Sequence, residues 1–125
     1  MKNTLLVLAD AAAVTSDGKL IIHGIFDQLR AAKLPAVHPS MTIVFQVKEA
    51  PASMTYALRM RDVMNEKSVY EFAMPPNADS TRGGKVGGIV QVNGLKFETY
   101  GAYTVSLLAN GEVVGTTTFT LSPVT

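Results

Sequence analysis

Apolar and polar residues alternate with a period of two through most of the chain and nowhere with the helical period, so the sequence predicts strands throughout. Met41, Ile43, Phe45 and Val47 share one side of a strand over 41–48, with Thr42, Gln46 and Lys48 on the other. Met54, Tyr56, Leu58 and Met60 repeat the pattern over 54–61 against Thr55, Arg59 and Arg61. Tyr70, Phe72 and Met74 do so over 67–74, with Glu71 opposite. These three strands, each with one face in the core and one in water, predict an antiparallel meander. Further strands are expected over 3–9 and 86–92, and in two runs flanking Asn110-Gly111. The stretch Leu20 to Leu29, LIIHGIFDQL, is apolar on both alternate sets, which predicts a central strand covered on both faces, with Gly24 as a bulge.

Turn chemistry divides these strands. Thr15-Ser16-Asp17-Gly18, Ala50 to Ser53 and Val63 to Glu66 read as turns, and Ala31 to Pro39 as a crossover whose prolines hold their predecessors extended. Pro75 to Lys85, with two prolines and two glycines, predicts the longest loop. Gly101-x-Tyr103 predicts a tyrosine corner, in which the phenol bonds back to the main chain. For the last hairpin a three-residue loop, Ala109-Asn110-Gly111, pairs Leu107 with Val113 and Tyr103 with Thr117. It brings Phe119 to the core face, and burial worth about 2–3 kcal/mol outweighs a preference between turn types. About eight strands, with turn signals about every ten residues, predict a single all-β domain: an antiparallel β-sandwich of immunoglobulin-like or related topology.

Composition narrows the function. The 125 residues are 47% hydrophobic and only 17% charged, which leaves little charge to cover the surface and predicts an apolar patch for a protein partner or a homo-oligomer. Net charge is +1 and the eleven Lys and Arg form no block, so neither nucleic acid nor a membrane is expected as a partner. With no cysteine, disulfides, thiolate metal sites and cysteine catalysis are excluded. The start, MKNTLLVLADAAAV, has the small residues of a leader, but its apolar run is short and Asp10 interrupts it. A first strand and a cytoplasmic location are therefore expected, with secretion the minority reading.

Ala9-Asp10-x-Ala12, then Asp17-Gly18-Lys19-Leu20-x-Ile22-x-Gly24-Ile25-Phe26-Asp27 and Pro35-x-x-His38-Pro39, resembles a family of small bacterial proteins known only as a domain of unknown function. Asn93-Gly94-Leu95-x-Phe97 and Gly101-x-Tyr103 extend the resemblance over most of the chain. It implies a shared fold, no assigned activity and no catalytic residue to carry over.

Candidate chemistry is sparse. Asp10, His23, Asp27 and His38 have the stoichiometry of a two-histidine, one-carboxylate metal site. The simpler reading makes His23 a core histidine, Asp27 a strand-end carboxylate and His38 a loop residue stiffened by Pro39. Gly83-Gly84-Lys85-Val86-Gly87-Gly88 matches neither phosphate-loop nor dinucleotide spacing. No Gly-x-Ser-x-Gly elbow is present. Lys48, Arg59 and Arg61 form a candidate anion stripe, or a solvated face with Glu71 paired to Arg59 or Arg61. The methionines read as gap-filling core. No catalytic residue, cofactor or metal is assigned. The leading expectation is a non-enzymatic module acting by protein binding or self-association. A structural subunit of a phage or secretion-type particle is the alternative, and a metal-dependent enzyme using His23, His38, Asp10 and Asp27 comes third.

Overall fold

A computed structural model gives the fold and describes residues 2–50, 54–74 and 86–124. Nine strands lie among them: β1 (Lys2–Val14), β2 (Leu20–Phe26), β3 (Gln28–Ala31), β4 (Ala36–Lys48), β5 (Tyr56–Asp62), β6 (Lys67–Ala73), β7 (Val86–Phe97), β8 (Gly101–Ala109) and β9 (Glu112–Pro123). They make a four-stranded sheet in the order β2-β1-β4-β7 and a five-stranded sheet in the order β3-β9-β8-β5-β6. Every pair is antiparallel except β3 with β9, which is parallel. The architecture is therefore the all-β sandwich that the alternation predicts.

The core lies where the two inner faces meet. Met41, Ile43, Phe45 and Val47 of β4 join Leu58 and Met60 of β5, Val105 and Leu107 of β8, and Phe119 and Leu121 of β9. At one end Tyr103 stacks on Phe119 at 5.3 Å between centroids, and Phe97 meets both rings edge-on at 5.0 and 5.9 Å. Each such ring contributes about 1.5–3 kcal/mol by leaving water, plus about 0.5–1.5 kcal/mol from ring pairing. The tyrosine corner is present: Tyr103 Oη donates to the Thr99 carbonyl at 2.5 Å. Met41 and Met60 are fully buried, whereas Met64, in the β5–β6 turn, stands exposed.

Three expectations about connectivity are corrected. The meander over 41–74 does not form, because β4 belongs to one sheet and the hairpin β5–β6 to the other. Alternation reveals which face of a strand is buried but not which strand lies beside it. The stretch Leu20 to Leu29 is not one central strand either. It divides at Asp27, Leu20–Phe26 forming the edge of the four-stranded sheet and Gln28–Ala31 the edge of the other. The Asp27 carbonyl, at the crossing, accepts the Thr120 N–H at 3.0 Å.

The third correction concerns the last hairpin. Its loop has two residues, Asn110 and Gly111, with φ of 48° and 82°, and Ala109 pairs with Glu112. Two successive positive φ values match the right-handed strand twist, which favours this Asn-Gly turn. A register shift between Leu107 and Leu108 then sets Leu107 opposite Gly115 and Tyr103 opposite Phe119. The bulge, and not a longer loop, turns Phe119 and Leu121 into the core. The first strand, expected to end at Ala9, continues to Val14, paired with β2 to its end. The loop predicted from Pro75 to Lys85 lies outside the described residues.

Candidate binding surface

The continuation of β1 beyond Ala9 is the feature that sets up the surface. β1 pairs with β4 only as far as Ala9 opposite Thr42, yet it pairs with β2 out to Val14 opposite Leu20. Ala11–Val14 and Leu20–His23 therefore leave the sheet as a two-stranded arm. Its tip is tightly bonded: Thr15 N–H donates to the Lys19 carbonyl at 2.8 Å, Gly18 N–H to the Thr15 carbonyl at 3.0 Å, and Lys19 N–H to Thr15 Oγ1 at 2.9 Å. Thr15 Oγ1 also bonds the Asp17 carboxylate, which lowers the Asp17 pKa. Behind this polar tip the arm is mostly apolar, with Ala11, Ala13 and Ile21 beside His23 on one side and Ala12, Val14, Leu20 and Ile22 on the other.

Ile25 and Val14 are each 62% exposed and Ile21 is 41% exposed. Apolar residues continue across the outer face of the four-stranded sheet. Ile25 lies opposite Ala9, which lies opposite Thr42; Val7 lies opposite Val44, which lies opposite Ile89. Ala9, Thr42 and Val44 are buried although they point away from the core, because neighbours on both flanking strands cover them. No charged side chain interrupts these two rows.

The sequence candidates for chemistry are dispersed. His23 is exposed on the arm, opposite Ala11, and is not a core histidine. His38 lies on β4 opposite Leu95, its ring 6.2 Å from Phe26, and its Nε2 is buried with no hydrogen-bond partner among the described residues. Asp10 sits on β1 with its carboxylate over Gly24, and Asp27 marks the crossing between sheets. No group of three His, Asp or Glu among the described residues is placed to hold a metal ion. The stripe of Lys48, Arg59 and Arg61 does not exist as one face, because Lys48 is on the four-stranded sheet and the arginines are on the other. Arg59 pairs with Glu71 at 3.6 Å across the β5–β6 ladder, and Arg61 donates to the Glu66 carbonyl at 3.2 Å. Of the glycine run, Gly83 to Lys85 falls outside the described residues, while Gly87 and Gly88 are in β7.

One polar cluster went unpredicted. Asp62, buried at the end of β5, accepts Thr99 Oγ1 at 2.5 Å, Asn65 Nδ2 at 2.9 Å and the Asn65 N–H at 3.3 Å. Burial pushes its carboxyl upward, but the bonds from Asn65, Thr99 and the Asn65 and Met64 main chain outweigh it and hold the pKa below the ordinary value. An Asp three residues before an Asn, at a strand end, is the sequence signal for such a turn. The cluster pins the β5–β6 turn to the tyrosine corner, since Thr99 also supplies the carbonyl that Tyr103 bonds.

Comparison with known proteins places the chain in a lineage without an assigned activity. The model of a family of unknown function, DUF6941, matches residues 4–122. No curated protein matches. Among solved structures, the alkylpurine DNA glycosylase AlkC of Pseudomonas fluorescens, bound to DNA containing an abasic site analog, has a similar fold, with a TM-score of 0.52 and 12% identity. The match covers 97% of this chain and 30% of the glycosylase, so the chain spans about a third of that protein's length. The likeness is one of fold. It does, however, correct one part of the partner expectation, the exclusion of nucleic acid drawn from charge: a protein found bound to DNA contains this fold. The exclusion rested on the spacing of Lys and Arg along the chain. A sheet brings side chains from distant segments onto one face, and many phosphate contacts come from hydroxyls and main-chain N–H groups instead of charged runs. Among the described residues no helix is long and apolar enough to cross a membrane.

Proposed function

The chain belongs to the family of unknown function DUF6941, and we propose that it is a non-enzymatic sandwich module that works by protein contact through the β1–β2 arm. The observation that carries this reading is the arm's departure from the sheet beyond Ala9, mostly apolar on both sides, with Val14 and Ile21 on it and Ile25 at its root in water. A two-stranded hairpin alone is only marginally stable in water, and exposed apolar surface of this kind marks a contact site. The dispersal of His23, His38, Asp10 and Asp27 supports contact over catalysis, since acid–base or metal chemistry requires such groups to converge.

Site-specific photo-crosslinking in cells tests the reading. A photoreactive phenylalanine analogue at position 21, on the arm, is expected to yield crosslinks to protein. The same group at position 118, on the outer face of the five-stranded sheet, is expected to yield none. Crosslinks from position 21 to nucleic acid alone, or equal yields from both positions, contradict it.

A further inference from the structure

We infer that the occupant of the β2 edge is a second copy of this chain, whose β2 pairs antiparallel with the first about a two-fold axis at His23. The inference rests on the contact reading above and names its partner. β2 has β1 on one side and no hydrogen-bonded strand on the other among the described residues. Thr15 N–H bonds the Lys19 carbonyl, so the antiparallel alternation makes Ala13–Ile21 and Ala11–His23 the bonded pairs with β1. The main-chain groups of Leu20 and Ile22 then point outward, away from β1. From Leu20 to Phe26 this edge has neither Lys nor Pro, the residues that ordinarily protect a sheet edge from pairing, and it carries no Asp or Glu either.

A second copy fits because the strand complements itself. Centring the pairing on His23 uses all seven residues of β2 and keeps the outward-pointing residues in the bonded positions, Leu20 with Phe26 and Ile22 with Gly24 of the other copy. It also sets Ile21 of one copy beside Ile25 of the other on the outer face, so that the two exposed isoleucines of the strand cover each other twice. The two four-stranded sheets become one continuous eight-stranded sheet, and both strand edges are removed by an isologous contact. With no ionised carboxylate, Lys or Arg along the strand, no like-charge repulsion between such groups opposes the approach.

The chain has no cysteine, which permits a direct test. In the proposed pairing, position 23 meets its symmetry mate in a non-bonded pair, with Cα atoms about 4.5 Å apart, within disulfide range. His23→Cys is expected to oxidise to a covalent dimer, while Thr118→Cys, also exposed but on the opposite sheet, remains monomeric. Sedimentation of the wild-type protein is expected to show a mass twice that of the 13.3 kDa chain, and Ile25→Lys to weaken the dimer about tenfold or more. Equal oxidation of both cysteine variants overturns the inference, as does a wild-type monomer at every concentration. If the wild type is monomeric while position 21 still crosslinks to another protein, this inference fails and the contact reading stands. If both measurements are negative, both fail.

Discussion

Asp10 and Gly24 meet across the β1–β2 ladder, and the Asp10 carboxylate fills the space that a Cβ on Gly24 would occupy. Gly24 has φ of +68°, a left-handed conformation that costs an L-residue about 1–2 kcal/mol. This pair stands where β1 parts from β4, at the root of the arm. Gly24→Ala is expected to lower stability by about 2 kcal/mol or more through conformation and collision together. In the double variant with Asp10→Gly the collision disappears and only the conformational part remains. Urea unfolding of the two single variants and the double variant measures the coupling; additive losses would mean that the carboxylate has room to move aside.

Two buried phenols offer opposite outcomes for the same substitution. Tyr103 donates to the Thr99 carbonyl, so Tyr103→Phe is expected to cost about 1–2 kcal/mol. The Tyr56 hydroxyl is buried with no partner among the described residues, and burial raises its pKa. Tyr56→Phe removes an unpaired polar group and is expected to leave stability unchanged or raise it by about 1 kcal/mol. Thermal unfolding of the two variants side by side checks the sign.

Asp62 predicts acid sensitivity. Its pKa in the folded protein is held below the unfolded value, so its contribution is fully present above about pH 4, the unfolded carboxylate pKa, and is lost as pH falls through the folded pKa. Asp62→Asn is expected to be less stable at neutral pH and to show a shallower loss of stability below about pH 4. Parallel pH profiles of the two proteins would contradict the assignment.

Much of the fold was legible because alternation encodes burial. The buried set Met41, Ile43, Phe45, Val47, Leu58 and Met60 follows directly from period-two spacing. Neighbour relations were not legible, since whether β4 pairs with β5 depends on a crossover between sheets that no local pattern specifies. The last hairpin shows a subtler limit. Burial of Phe119 was the right criterion, but a bulge between Leu107 and Leu108 satisfies it as well as a longer loop does. At Leu20 to Phe26 the pattern was apolar on both faces, which ordinarily means a covered strand. The strand is instead at an edge with Ile21 and Ile25 in water, and this conflict between local sequence and surroundings points to the contact surface.

The most direct measurement of that surface is amide hydrogen exchange along β2 as protein concentration rises. The Ile21 and His23 amides bond β1 in a single chain and are expected to be protected at every concentration. The Ile22 amide points outward and is expected to exchange freely in dilute protein and to become protected as copies pair. An Ile22 amide whose exchange is fast and independent of concentration would contradict the account.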